Sequence, residues 1–399
     1  MIEKYYSGVI EQIYNRIGKE TRNIVMANYS NDFSIENLEV IRRYQSNEDN
    51  VFFAYSEFSY NTLVGAYEPF LDIICNMHRR FIGGSFDDFQ KECGVYYLHR
   101  QVLNSYYETG ECFREETVLL NEVAYEQRRM TMAIADMLKK LSEVKPLMIV
   151  INRFQMASKS SIETIKYLID NPCANIGIVL GVNAIVKGTD STVEVWDRIV
   201  ESLEDRSAIY YIGSAGPLKN NVKTTNDGEL YITMNFEQSI QEASNIMEFL
   251  DFEQARRGCR IIEHKLKFED AWIDEKSLRR FYMVYARTSV LLGEMSKAIE
   301  LTNEYKALIP ENDSEHYLSL YYFMKGTCYM YQGKLEKAGN SAKSAYDYAV
   351  LAEDDTLIFK AELLSVMIKM SGWYNIFFCV QDIPVSDEII EKLIKHGYR

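Results

Sequence analysis

The spacing of apolar and polar positions changes character once along this chain. Up to about residue 235, short apolar runs alternate with longer amphipathic stretches. Beyond it, helical periodicity continues almost unbroken to Met370. The apolar runs are Asn23–Ala27 (NIVMA), Val51–Ser56 (VFFAYS), Leu147–Ile151 (LMIVI), Asn175–Val182 (NIGIVLGV) and Glu229–Met234 (ELYITM). Short continuous apolar runs are what strands buried on both faces require, as in a parallel sheet flanked by helices. Asn121–Glu143 has the period of one long helix, and a shorter helix is expected to end near Tyr44. The pattern predicts an α/β domain over 1–236, all-α helical repeats over 237–380, and a C-terminal capping helix or tail over 381–399.

Within the helical part three segments look alike: Val290–Ala298 (VLLGEMSKA), Met330–Ala338 (MYQGKLEKA) and Lys369–Trp373 (KMSGW). Their glycines, at 293, 333 and 372, are 40 and 39 residues apart. A glycine in a tight inter-helix turn, with alanine five positions on for close packing, is a tetratricopeptide-like pattern, although the usual period is about 34. Phe249–Ala255 reads as a weaker first copy. Pro310–Ser314 separates two helix pairs, with Ser314 expected as an N-cap. In the tail, Ser386 is the expected N-cap, and Val385 and Ile390 sit at staple spacing across it.

The strand Leu147–Ile151 carries the frame of a nucleotide-hydrolysing site without its chemistry. In P-loop enzymes such a strand ends in acids that hold Mg²⁺ and orient water; here it runs into Asn152 and Arg153. A phosphate-binding loop, G-x-x-x-x-G-K-[ST], needs glycines that expose backbone N–H groups, a lysine for the phosphates and a hydroxyl for the metal. Laid over the segment after Asn23–Ala27, that template puts Asn28 and Phe33 at the glycines, Ser34 at the lysine and Ile35 at the Ser/Thr. Asn28 tolerates a positive φ, so a turn is expected there without a phosphate anchor.

These elements, in this order, resemble the signal-transduction ATPases with numerous domains (STAND) of the large LuxR-type regulator kind. Ala66-Tyr67-Glu68-Pro69-Phe70 matches the family's P-Y-x-P-F turn with one departure, and Pro146–Ser158 matches its acidic strand with both aspartates replaced. The likeness covers roughly residues 8–245. It implies a degenerate, AAA-like P-loop NTPase fold followed by a tetratricopeptide-like solenoid, in bacterial signalling or regulation. The family's helical lid and winged helix are expected to be shortened or lost, because only about forty residues separate Met234 from the first clear repeat. No DNA-reading helix-turn-helix is expected at a terminus that reads KLIKHGYR.

Charge and cysteine usage narrow the classes further. The net charge of −14 is unfavourable for wrapping nucleic acid. The local basic cluster Arg256, Arg257, Arg260, Lys265, Lys267, Arg279 and Arg280 reads as a solvated helix face. Seven dispersed cysteines with no C-x-x-C indicate reduced thiols in a cytoplasm. The opening MIEKYYSGVI is charged and amphipathic, unlike a secretory leader, and no run is long enough to span a membrane. G-x-S-x-G is absent, and Lys159, just after the degenerate strand, reads as a surface lysine rather than a phosphate contact.

The expectation is therefore a non-enzymatic scaffold with no cofactor and no metal, holding a protein partner through its helical repeats. Arg279, Arg280, Tyr321 and Tyr322 are the candidate partner-binding residues, being of types enriched at interface cores. Two alternatives stay open: a STAND-type switch that binds nucleotide without hydrolysis to control oligomerisation, and a nucleic-acid-associated regulator resting on the basic cluster alone.

Overall fold

The computed structural model describes residues 2–29, 38–46, 50–59, 63–112, 122–183, 186–187, 193–212, 223–224, 236–268, 273–312 and 314–376. The chain is α/β first and all-α afterwards, divided into two compact units, Met1–Ala271 and Trp272–Arg399.

The first unit runs α1 (Ile2–Arg16), β1 (Ile24–Tyr29), α2 (Glu39–Ser46), β2 (Phe52–Glu57) and α3 (Phe70–Met77), then α4 (Phe86–Glu92), α5 (Tyr97–Thr109) and α6 (Val123–Val144). It continues with β3 (Leu147–Asn152), α7 (Lys159–Asp170), β4 (Ile176–Asn183), β5 (Val186–Lys187), α8 (Val193–Glu204), β6 (Ile209–Ile212) and β7 (Lys223–Thr224). Two helices close it, α9 (Phe236–Glu248) and α10 (Phe252–Phe268). Five strands form one parallel sheet in the order β2-β3-β4-β1-β6.

β3 is buried at all six positions, which is why its sequence is apolar on both faces. Its alternate residues Met148 and Val150 join Val25, Ala27 and Val179 in a core with Tyr6, Ile10 and Ile13 of α1 and Ile41 of α2. α3, α6, α7 and α8 pack successively against one another. Burying both faces of a sheet is what a βαβ chain with right-handed crossovers achieves.

One strand of the sheet was not expected. The edge strand beside β1 is β6, a four-residue segment too short and too tyrosine-rich to stand out in the sequence. Glu229–Met234 lies outside the described residues.

Composition changes near 236–237, but the division by packing falls after α10, because α9 and α10 are bonded into the first unit. Asn245 accepts from the Cys112 amide at 2.9 Å and donates to the Gly110 carbonyl at 3.1 Å. Gln127 donates to the Leu250 carbonyl at 2.6 Å, and Gln254 to the Val64 carbonyl at 2.9 Å.

The second unit is α11 (Glu275–Leu291), α12 (Met295–Ala307), α13 (Ser314–Tyr331), α14 (Leu335–Leu351) and α15 (Asp355–Ile376), each packed on the next along the chain. Asp274 caps α11 by accepting from the Ser277 amide at 2.9 Å. Gly293 and Gly333 lie in the turns α11–α12 and α13–α14 at φ 78° and 73°. There Glu294 N bonds Ser289 O at 2.8 Å, and Lys334 N bonds Tyr329 O at 2.9 Å. This is the C-terminal cap in which a left-handed residue returns a later amide to the last helical carbonyls.

The third glycine is a correction. Gly372 lies within α15, and the matching turn comes earlier, at Glu353, with φ 53° and Asp354 N bonded to Ala349 O at 3.2 Å. In the first unit Leu250 holds the same conformation between α9 and α10, at φ 68°. The glycine spacing located two of these turns; the other two use residues that carry no glycine signal. The expected tail, 381–399, lies outside the described residues.

Candidate functional site

In open α/β sheets ligands bind at the carboxyl ends of the strands, and here those ends carry Tyr29, Glu57, Asn152, Asn183 and Ile212. Tyr29 and Asn152 are fully buried. The Tyr29 hydroxyl donates to Asn152 Oδ1 at 2.5 Å. Tyr6 of α1, also fully buried, has its phenol pKa raised first by burial and then by the neighbouring Tyr29, Tyr55 and Glu57.

Glu57, the carboxylate among these strand ends, is already neutralised. It accepts from the Tyr55 hydroxyl and pairs with Arg153 Nη1 at 3.0 Å. Arg153 follows β3 in the left-handed region at φ 54° and also donates to the Phe58 carbonyl at 3.3 Å. Gln155 accepts from the Asn183 amide at 3.3 Å, tying the turn after β3 to the end of β4. The edge is thus occupied by side chains bonded to one another. A divalent cation would need anionic oxygens here; Asn152 is neutral and Arg153 is a cation.

Asn28 is not in a turn. It lies in the β1 ladder, paired with Val182 and Tyr211, and the strand continues one residue further, to Tyr29. The reason is packing: Asn28 and Tyr29 are both buried, so the ladder persists to the edge. Phe33, Ser34 and Ile35 lie outside the described residues. Lys159 pairs with Glu253 at 3.0 Å. The first turn of α7 is likewise engaged: Ser158 accepts from the Ser161 amide, and Asp251 accepts from the Ser160 amide at 3.0 Å. Ser160 Oγ accepts from the Tyr67 amide at 3.0 Å, and Ser161 Oγ donates to the Glu68 carbonyl at 2.8 Å.

Sequence reasoning missed the three tyrosines of this edge. Their only signal was a tyrosine closing the apolar run IVMANY and another inside FFAYSE. It also missed a cavity of about 270 Å³ lined by Glu68, Asp72, Tyr106, Glu242 and Phe249 among others. Glu68 stands at the unrestricted position of the Ala66–Phe70 turn, where Ala66 is the departure, and nothing in the sequence pairs it with Glu242.

In the second unit the four partner-binding candidates separate. Arg279 donates to the Leu308 carbonyl at 2.8 Å and lies over the Tyr317 ring at 5.1 Å. Tyr321 is 2% exposed and accepts from Lys325 Nζ at 2.8 Å. Tyr322 is half-buried and stacks on Tyr348 with centroids 5.6 Å apart. Arg280 alone of the four is exposed.

Of the basic cluster on α10, Arg257 is buried and Arg256 half-buried, while Arg260 and Lys267 are exposed. Among the described residues no group of three or more His, Cys, Asp or Glu could hold a metal ion, and no helix is long and apolar enough to cross a membrane. No protein-family model matches the chain, and no curated protein matches it.

Proposed function

We propose that the chain is a non-catalytic interaction protein: a degenerate STAND-like nucleotide fold joined to tetratricopeptide-like helical hairpins that hold a protein partner. One observation carries this reading. The positions where a hydrolase would keep free acids and a metal are spent on the Tyr29–Asn152 bond and the Glu57–Arg153 pair. The strand order, with β1 between β4 and β6, supports the nucleotide-fold ancestry, since the loop after β1 leaves from an interior strand of the sheet. The repeated left-handed turns support the hairpin array. The free cysteines at 75, 93, 112, 173, 259 and 328 are in keeping with a reducing, cytoplasmic setting.

The test is nucleotide binding and turnover by the full chain. Millimolar ATP, ADP and GTP, with and without Mg²⁺, are expected to leave the melting temperature unchanged and to release no phosphate above a heat-killed control. Loss of two charge-assisted contacts to phosphate, at about 1.5–3 kcal/mol each, is about a hundredfold or more in affinity. A clear upward shift with one nucleotide would instead establish the switch that binds without hydrolysis.

A further inference from the structure

The cavity beside α9 brings together carboxylates from three separate segments: Glu68 in the turn before α3, Asp72 on α3 and Glu242 on α9. Gly65 N donates to Glu68 Oε2 at 2.9 Å. Glu242 Oε1 and Glu68 Oε2 both lie within 3.4 Å of the point that a β-carbon on Gly65 would occupy. Tyr106 of α5 donates its hydroxyl to Asp72 Oδ1 at 3.1 Å. Cys75, one turn further along α3, is a neutral thiol, pushed up to about 12 chiefly by burial.

No lysine, arginine or histidine lines the cavity. Arg79, the cation that acts on Cys75, is engaged with Tyr107 through its backbone carbonyl and its ring. Two partly buried carboxylates facing the same point, with no cation lining the cavity, repel when both are charged. A single proton between them turns that repulsion into a hydrogen bond.

We propose that Glu68 and Glu242 form a proton-dependent latch, in which a shared proton ties α9 to the turn before α3 and its loss loosens α9. Burial raises Glu242 to about 7, with Glu68 and Asp72 adding to the rise. Burial raises Glu68 as well, against the opposing amide of Gly65. A carboxyl whose folded-state pKa is raised contributes fully below its ordinary pKa, and the contribution is lost as pH rises through the folded value. The window therefore closes around neutrality, on the alkaline side. Asn245 and its two backbone bonds do not titrate, so α9 loosens without detaching.

The experiment is amide hydrogen exchange of residues 236–248 in the full chain at pH 6 and pH 8, corrected for intrinsic exchange. The wild type should open roughly tenfold or more readily at pH 8, since each pKa unit is about a factor of ten in the coupled equilibrium. Glu242→Gln, neutral at both values, should abolish the difference, and Glu68→Gln should reduce it. Equal corrected protection in the wild type at both pH values overturns the latch, as does a difference that persists in both variants. Should one variant fail to fold, the other and the wild-type comparison still decide.

Discussion

Tyr29 and Asn152, the last residues of β1 and β3, are joined by a 2.5 Å hydrogen bond although β4 lies between their strands. The bond passes over Gly181 of β4. A β-carbon there would stand 2.8 Å from Asn152 Oδ1 and would collide with the Tyr6 hydroxyl. Three strands and α1 therefore close the carboxyl edge together.

The bond itself makes the first prediction. Tyr29→Phe keeps the buried ring and removes the donor, leaving the buried amide oxygen short of a partner, at a cost of about 1–3 kcal/mol. Asn152→Leu removes the acceptor at a similar cost. In urea denaturation the double variant should lose clearly less than the two single losses together, because each single change already breaks the same bond. Additive losses would mean that the two side chains do not interact.

The glycine between them makes the second. Gly181→Ala must displace Asn152 or Tyr6, and overpacking of this kind costs about 1–3 kcal/mol. Gly339, inside α14, has nothing within 4 Å of its would-be β-carbon. Gly339→Ala should instead stabilise by about 0.5–1 kcal/mol, through helix propensity. Opposite signs in thermal melting are the expected outcome.

The left-handed turns make the third. Glu353 is exposed and held at φ 53°, where a side chain costs about 1–2 kcal/mol that glycine avoids. Glu353→Gly should stabilise the second unit, by less than that cost because glycine adds freedom to the unfolded chain. Leu250 adopts the same conformation but is 2% exposed. Its burial is worth about 1.5–3 kcal/mol, which exceeds the backbone relief, so Leu250→Gly should destabilise. A stabilising Leu250→Gly would show that backbone strain outweighs burial at this turn.

The parallel strands and the switch to helices were legible because both-face burial writes itself as unbroken apolar runs, LMIVIN most clearly. That β3 runs into Asn152 and Arg153 rather than into acids was legible as single letters. What replaced them was not. Tyr6 reaches the edge from α1, and the Glu57–Arg153 pair joins the end of β2 to the turn after β3, so each depends on tertiary contact that no local pattern encodes. Glu353 escaped for a different reason: its left-handed turn carries no glycine, whereas Gly372 supplied the letter without the turn.

The second unit makes the fourth prediction, which bears on how its surface can be probed. Tyr321 is packed in the core, and truncating a buried aromatic costs about 3–5 kcal/mol. Tyr322 is half-buried, and its stack on Tyr348 is worth about 0.5–1.5 kcal/mol beyond area. Arg279 supports the Leu308 carbonyl, a charge-assisted bond worth about 1.5–3 kcal/mol, while reversal of exposed Arg280 to glutamate should cost less than that. Chemical denaturation should therefore rank the losses Tyr321→Ala first, Arg279→Ala and Tyr322→Ala between, and Arg280→Glu last. A partner whose binding is weakened by Arg280→Glu or Tyr322→Ala would be contacted directly, whereas the same effect from Tyr321→Ala would report unfolding. If Tyr321→Ala melts no lower than Tyr322→Ala, Tyr321 is not the packing residue its burial makes it, and it returns to the surface as a contact in its own right.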